Sequence, residues 1–258
     1  MNYFFFIHID NYVSEITLPK FTNSGSYDKD MKLKAGRIID RKWKFYDPEC
    51  SESKDFWSVT ATEDNKNDIF FLCSDQQIER QEESESLIKL NSFTDTFPDF
   101  RSNLSIKNTS CGFSSYQAEY PFQMTLKKGN LYSSISSLSN FKAKKNGVFV
   151  RNIFHLPIYD EYSAFIYDDH QKKVVDRFTL TSNSTNFISF KNYDNTSSLY
   201  LFCEGYIGIP VYFSESSSGN ISLEHTHPPH ENIQGDIRHK IVSQLKNDLH
   251  KKITSSNL

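Results

Sequence analysis

Glycine is scarce in this chain of 258 residues, with nine in all, and none falls in a G-x-G-x-x-G, Walker or G-x-S-x-G arrangement. That argues against a Rossmann or P-loop nucleotide site and against a nucleophile elbow, whose tight turns need glycine where backbone approaches ligand. Cysteine is equally sparse: Cys50, Cys73, Cys111 and Cys203 lie far apart with no C-x-x-C pair, which removes thiolate zinc frameworks and thioredoxin-type redox motifs. No apolar run approaches the roughly 20 residues of a membrane-spanning helix. Residues 4–7, Phe-Phe-Phe-Ile, are too short for a secretory h-region and have no basic flank. The expectation is a cytoplasmic protein with free, mostly buried thiols and no membrane insertion. Charge of one sign is missing too: 29 Lys and Arg against 32 Asp and Glu give a net charge of −3. With no polybasic block, nucleic acid is not an expected partner.

Aromatic side chains are what the chain has in quantity, 22 Phe and 14 Tyr, among many Ser, Thr and Asn. Aromatic and β-branched runs separated by polar turns favour strands over helices. The expected fold is therefore mainly β, an antiparallel β-sandwich or jelly-roll-like barrel, with a C-terminal amphipathic helix. Residues 1–258 read as a single domain, with a soft boundary near 79–97 between a small N-terminal β-unit and a larger sandwich. Residues 36–46 read as one half-exposed strand, and 163–180 as the clearest hairpin, turning at Asp168-Asp-His-Gln171. Residues 199–203, Leu-Tyr-Leu-Phe-Cys, are apolar on both faces and belong in the interior of a sheet stack. Ile237, Ile241, Leu245, Leu249 and Ile253 recur every four residues, which predicts a helix over about 235–254. Its apolar stripe would cover the β-body or pair two copies of the chain.

The densest set of metal-capable side chains is near the C-terminus. His225, His227 and His230 fall within six residues, followed by Glu231. Strand alternation puts Ile221, Leu223, His225 and His227 on one face, and Pro228-Pro229 ends the strand. Two imidazoles at i and i+2 plus a third imidazole or a carboxylate make an open nitrogen and oxygen site. Such a site suits one divalent metal: zinc, iron, manganese or nickel. The alternative is a hydrogen-bonded polar cluster without metal.

The spacing Gly219, five residues, His225-x-His227, three residues, Glu231 resembles the first half of the cupin signature over thirteen residues. The resemblance implies that His225, His227 and Glu231 are three ligands inside a small β-barrel. The chain departs from the pattern in lacking a glycine six residues beyond Glu231, since Gly235 comes earlier, and in having no second half-signature downstream.

Residues 114–121 supply a second candidate, a non-repetitive stretch with Tyr116, Glu119 and Tyr120. Tyrosines and a carboxylate can grip a small polar or sugar-like ligand by stacking and hydrogen bonds. Tyr116, Glu119 and Arg151 are the ligand-binding candidates, and Glu119 and His227 the acid–base candidates. Two functions remain open: a metal-dependent enzyme or binder for such a ligand, and a non-catalytic β-sandwich that binds glycan or protein through exposed aromatics or serves in assembly.

Overall fold

The structure, a computed structural model, describes residues 2–20, 31–74, 83–87, 102–109, 112–116, 119–136, 139–190, 193, 198–225 and 238–256. The first strands in chain order are β1 (Asn2–Phe5), β2 (Tyr12–Pro19), β3 (Met31–Ile39), β4 (Lys42–Tyr46), β5 (Ser51–Glu52), β6 (Phe56–Thr60) and β7 (Ile69–Ser74). Next come β8 (Glu83–Ser84), β9 (Asn103–Asn108), β10 (Phe113–Tyr116), β11 (Glu119–Pro121), the single-turn helix α1 (Phe122–Thr125) and β12 (Leu131–Ser134). The remainder is β13 (Lys145–Arg151), β14 (Glu161–Asp168), β15 (Lys173–Thr181), β16 (Thr185–Ser189), β17 (Leu199–Cys203), β18 (Ile209–Glu215), β19 (Ile221–His225) and helix α2 (Arg238–Ser255).

These strands form four antiparallel sheets. Sheet I has the order β11-β1-β7-β3-β4-β8, sheet II β10-β9-β2-β6-β5, sheet III β12-β17-β14-β15 and sheet IV β16-β13-β18-β19. The chain is thus mainly β and ends in a helix, as its sequence predicts. The single sandwich or jelly-roll-like barrel is corrected: the sheets are arranged as four blades of a propeller-like fold.

The reason lies in strands that are apolar on both sides. In β1 and β7, Phe4, Phe70 and Leu72 face Ile16, Leu18, Trp57 and Val59 of sheet II, while Tyr3, Phe5, Ile69 and Phe71 face the other way. That second set shares a core with Phe149, Val211, Phe213 and Leu223 of sheet IV. Sheet IV then turns Val148, Val150 and Tyr212 towards Ala164, Ile166, Leu201 and Cys203 of sheet III. Fully burying a phenylalanine or leucine stabilises by about 1.5–3 kcal/mol relative to leaving it in water. A strand with such residues on both faces therefore needs a layer on each side, and two sheets cannot supply that for both β7 and β13.

The outer face of sheet III carries a cross-strand row. Tyr132 pairs with Phe202, Phe202 with Phe165 and Phe165 with Arg177. The rings of Tyr132 and Phe202 stack at 4.8 Å, and the Arg177 guanidinium lies 5.2 Å from the Phe165 centroid. Helix α2 covers the row with Leu249 and Ile253, the latter fully buried, which accounts for the four-residue apolar period at these two positions.

Residues 36–46 differ from the expected single strand. They form the β3–β4 hairpin, with Ile39 opposite Lys42 and a two-residue turn at Asp40-Arg41. Both turn residues have positive φ, 53° and 60°, the twist that suits a tight antiparallel hairpin. The hairpin expected over 163–180 is β14–β15. Cys50 and Cys203 are free thiols, the latter buried; Cys73 is buried too, and Cys111 lies outside the described residues. Much of the soft boundary near 79–97 also lies outside them. Among the described residues no helix is long and apolar enough to cross a membrane.

Candidate metal centre

The segment leaving β1 is anchored by Phe6 and Ile7, both fully buried. It then turns outward at His8. A turn closed by the Tyr12 N–H donating to the Ile9 carbonyl at 3.3 Å, with Asn11 left-handed at φ 71°, brings the chain into β2 and exposes Asp10. Asparagine tolerates that conformation because its short amide bonds locally.

The third group arrives from residue 63. β6 pairs with β2 in the register Glu15 opposite Thr60, so the residues after Thr60 come level with the turn before Tyr12. Residues 61–68 are pinned: Ala61 N–H donates to Ser14 O at 2.8 Å, Thr62 N–H to Asn65 Oδ1 at 2.7 Å, and Asp68 N–H to Asn65 O at 2.9 Å. The Thr185 hydroxyl, at the start of β16, reaches both segments, 3.1 Å from Phe6 O and 3.2 Å from Lys66 O.

His8, Asp10 and Glu63 consequently offer ligand atoms that all lie within 4.8 Å of one another. His8 Nε2 is 2.7 Å from Glu63 Oε1 and 3.9 Å from Asp10 Oδ1. Donors around a tetrahedral ion with bonds of about 2.0–2.1 Å stand roughly 3.3 Å apart, so these separations straddle the required value. The His8 side chain is 16 % exposed, while those of Asp10 and Glu63 are 89 % and 63 % exposed, so the open side of the group faces solvent. Lys66 Nζ lies 2.6 Å from Glu63 Oε2. That ammonium first, and His8 second, hold the Glu63 carboxyl below its ordinary value. Glu63 is therefore ionised at neutral pH. In the metal-free group the His8 Nε2–H donates to Glu63; binding an ion there displaces that proton. One imidazole and two carboxylates form a nitrogen and oxygen donor set suited to zinc, iron(II), manganese or nickel.

The residues expected from sequence are distributed differently. His227, His230 and Glu231 lie outside the described residues. His225 ends β19 opposite Val211 in sheet IV, and Tyr116 ends β10 opposite Leu104 in sheet II. The edges of these two sheets meet, the Leu223 N–H donating to Ser114 Oγ at 3.0 Å, so Tyr116 and His225 each lie two residues beyond that contact. Glu119 opens β11 opposite Phe4 in sheet I, half-buried.

Arg151 ends β13, fully buried. Its guanidinium donates to the carbonyls of Asn67 at 2.8 Å, Asp68 at 3.3 Å and Asn183 at 3.2 Å. Burial pulls its pKa down to about 10. The nearby Asp68 carboxylate is held by the fork of Arg37, at 2.7 and 2.8 Å, and by the Tyr46 hydroxyl.

Sequence reasoning passed over His8, Asp10 and Glu63. The His8-x-Asp10 spacing was a signal of the same kind as His225-x-His227. Glu63, 55 residues from His8, joins them only through the β2–β6 pairing. Comparison of the chain with protein-family models, with curated proteins and with solved structures returns no match.

Proposed function

We propose that this chain is a metal-binding protein that uses a divalent ion, held by His8, Asp10 and Glu63, to take or act on a small polar ligand. The observation that carries this reading is the convergence of three chemically suitable donors within 4.8 Å, on the solvent side of segments pinned by buried neighbours. Three protein ligands leave at least one coordination position open, where an ion acts as a Lewis acid or activates water. The setting on this reading is the cytoplasm, consistent with Cys203 as a buried free thiol.

A second reading puts the metal on His225, His227, His230 and Glu231, with Tyr116 and Glu119 towards a sugar-like ligand; Arg151, buried and bonded to three backbone carbonyls, drops out of the ligand contacts. This reading draws support from the meeting of the β10 and β19 edges, which brings the backbone of Tyr116 and His225 to one seam.

Elemental analysis of the purified, untagged protein separates the two. Near-stoichiometric zinc, iron, manganese or nickel, lost in His8→Ala and Glu63→Gln and kept in a His225→Ala/His227→Ala double variant, is the expected result. Loss only in the double variant transfers the metal to the second cluster. If wild type retains none after loading and desalting, both metal readings fall, leaving a non-catalytic binding or assembly role.

A further inference from the structure

One lysine touches the candidate metal centre, and a second lies over the ring that opens the strand after it. Lys66 is already on Glu63 at 2.6 Å. Lys145, at the start of β13, rests its ammonium 4.8 Å from the centroid of the Tyr12 ring, two residues beyond Asp10. Opposite it in the β13–β18 register stands Glu215, whose carboxylate accepts from the Tyr12 hydroxyl and from Asn108 Nδ2, the latter at 3.1 Å. The Lys145 ammonium feels Asp10 as well as Glu215, but partial burial outweighs both and lowers its pKa. A partly desolvated ammonium gains more from a new anionic neighbour than one in open water does.

The charge balance of this neighbourhood changes sign with the metal. Without an ion, the carboxylates of Asp10, Glu63 and Glu215 outnumber the ammonium groups of Lys66 and Lys145 by one. A divalent cation on His8, Asp10 and Glu63 turns that deficit into a surplus of one positive charge. Lys66 pairs with Glu63 Oε2 while His8 faces Oε1, so the Lys66 ammonium stays beside the group when an ion binds on the His8 side.

We propose that the metal-loaded centre binds a small oxygen anion, a phosphate- or carboxylate-bearing molecule, with one oxygen on the metal and the charge shared by Lys66 and Lys145. The inference rests on the metal reading of His8, Asp10 and Glu63. It adds the ligand class and makes anion binding conditional on the ion. Small anions are repelled by the metal-free group and attracted once it is filled, so ion and ligand bind with positive coupling.

Cobalt(II) gives a visible spectrum that reports changes in its own coordination. The full-length chain, stripped with chelator and reloaded with Co2+, is titrated with inorganic phosphate and separately with acetate, following absorption and heat. A saturable spectral change is expected with at least one anion and no heat of binding from the metal-free protein. The preferred anion separates phosphate from carboxylate ligands. Lys66→Met and Lys145→Met are each expected to weaken the anion by about fivefold or more, with Co2+ still bound and circular dichroism unchanged. If Co2+ binds but neither anion alters spectrum or heat, the inference is overturned and the metal reading stands. Anion affinity equal in wild type and both lysine variants overturns it as well. If Co2+ fails to bind wild type, the metal reading falls and this inference with it.

Discussion

The hydroxyl of Thr185 lies 3.1 Å from the carbonyl of Phe6, tying the first residue of β16 in sheet IV to the segment that carries His8. The same oxygen is 3.2 Å from Lys66 O, on the turn that carries Glu63. One side chain from a third part of the chain thus fixes the separation of two candidate ligands. Thr185→Val keeps the shape and removes the donor. The expected cost is about 1–2 kcal/mol in urea unfolding, typical of a part-buried hydrogen bond, and about tenfold in Co2+ affinity. Unaltered metal affinity would show that the ligand spacing is set without it.

Arg151 joins three carbonyls from two turns to the end of β13, and it does so from a fully buried position. Arg151→Met takes the donors away and leaves those carbonyls dry. A loss of about 3 kcal/mol or more is expected from equilibrium denaturation. A loss below about 1 kcal/mol would mean that water or a shifted backbone satisfies the carbonyls instead.

Stability near the metal group should depend on acid in a defined direction. Lys66 and His8 lower the Glu63 pKa in the folded protein. A carboxyl with a depressed folded pKa stabilises the fold above its ordinary range, and that contribution disappears as pH falls through the depressed value. Urea unfolding of wild type and Glu63→Gln, compared from pH 7 to pH 3, should therefore differ most at neutral pH and converge in acid. Curves that stay parallel over the whole range would remove the ion-pair contribution.

Gly112 and Gly219 meet where the β9–β10 and β18–β19 connections touch. A Cβ on Gly112 would lie 2.0 Å from Gly219 O, a backbone atom that cannot swing aside. Asn108 closes the contact, accepting from Gly112 N–H at 2.8 Å and donating to Gly219 O at 2.8 Å. Gly112→Ala is expected to lower stability by about 2–3 kcal/mol, and Asn108→Ala by about 1–3 kcal/mol. Combined, they should lose less than the sum, because either change opens the same seam. Strict additivity in thermal or urea unfolding would separate the two effects.

The sequence made local features plain wherever composition and geometry agree. Asp168-Asp-His-Gln171 between two alternating runs reads as a hairpin and is one. The four-residue recurrence through Leu249 and Ile253 reads as a helix with one apolar side, and those two residues pack on sheet III. Asp40-Arg41 escaped notice because neither glycine nor proline marks the turn, so residues 36–46 looked like a continuous strand. The number of sheets was hidden for a different reason. Apolar residues on both faces of β7 and β13 announce burial without saying how many layers provide it. In the metal group, His8 and Asp10 are neighbours in sequence, but Glu63 comes close only through strand register, which depends on the whole of sheet II.

The β3–β4 turn also says where glycine is used in a chain with so little of it. Asn11, Asp40, Arg41, Lys172 and Asn183 all occupy left-handed backbone, while among the described glycines only Gly205 and Gly219 do. Gly36, Gly112 and Gly147 sit instead where another group presses against the main chain. Glycine here mostly provides room, and ordinary residues bear the torsional strain, roughly 1–2 kcal/mol for each non-glycine residue held left-handed. The tips of the hairpins are therefore the natural targets for engineering a more heat-resistant form. Glycine at Arg41 or Lys172 would relieve torsion at the surface without touching either the blade cores or the candidate metal ligands.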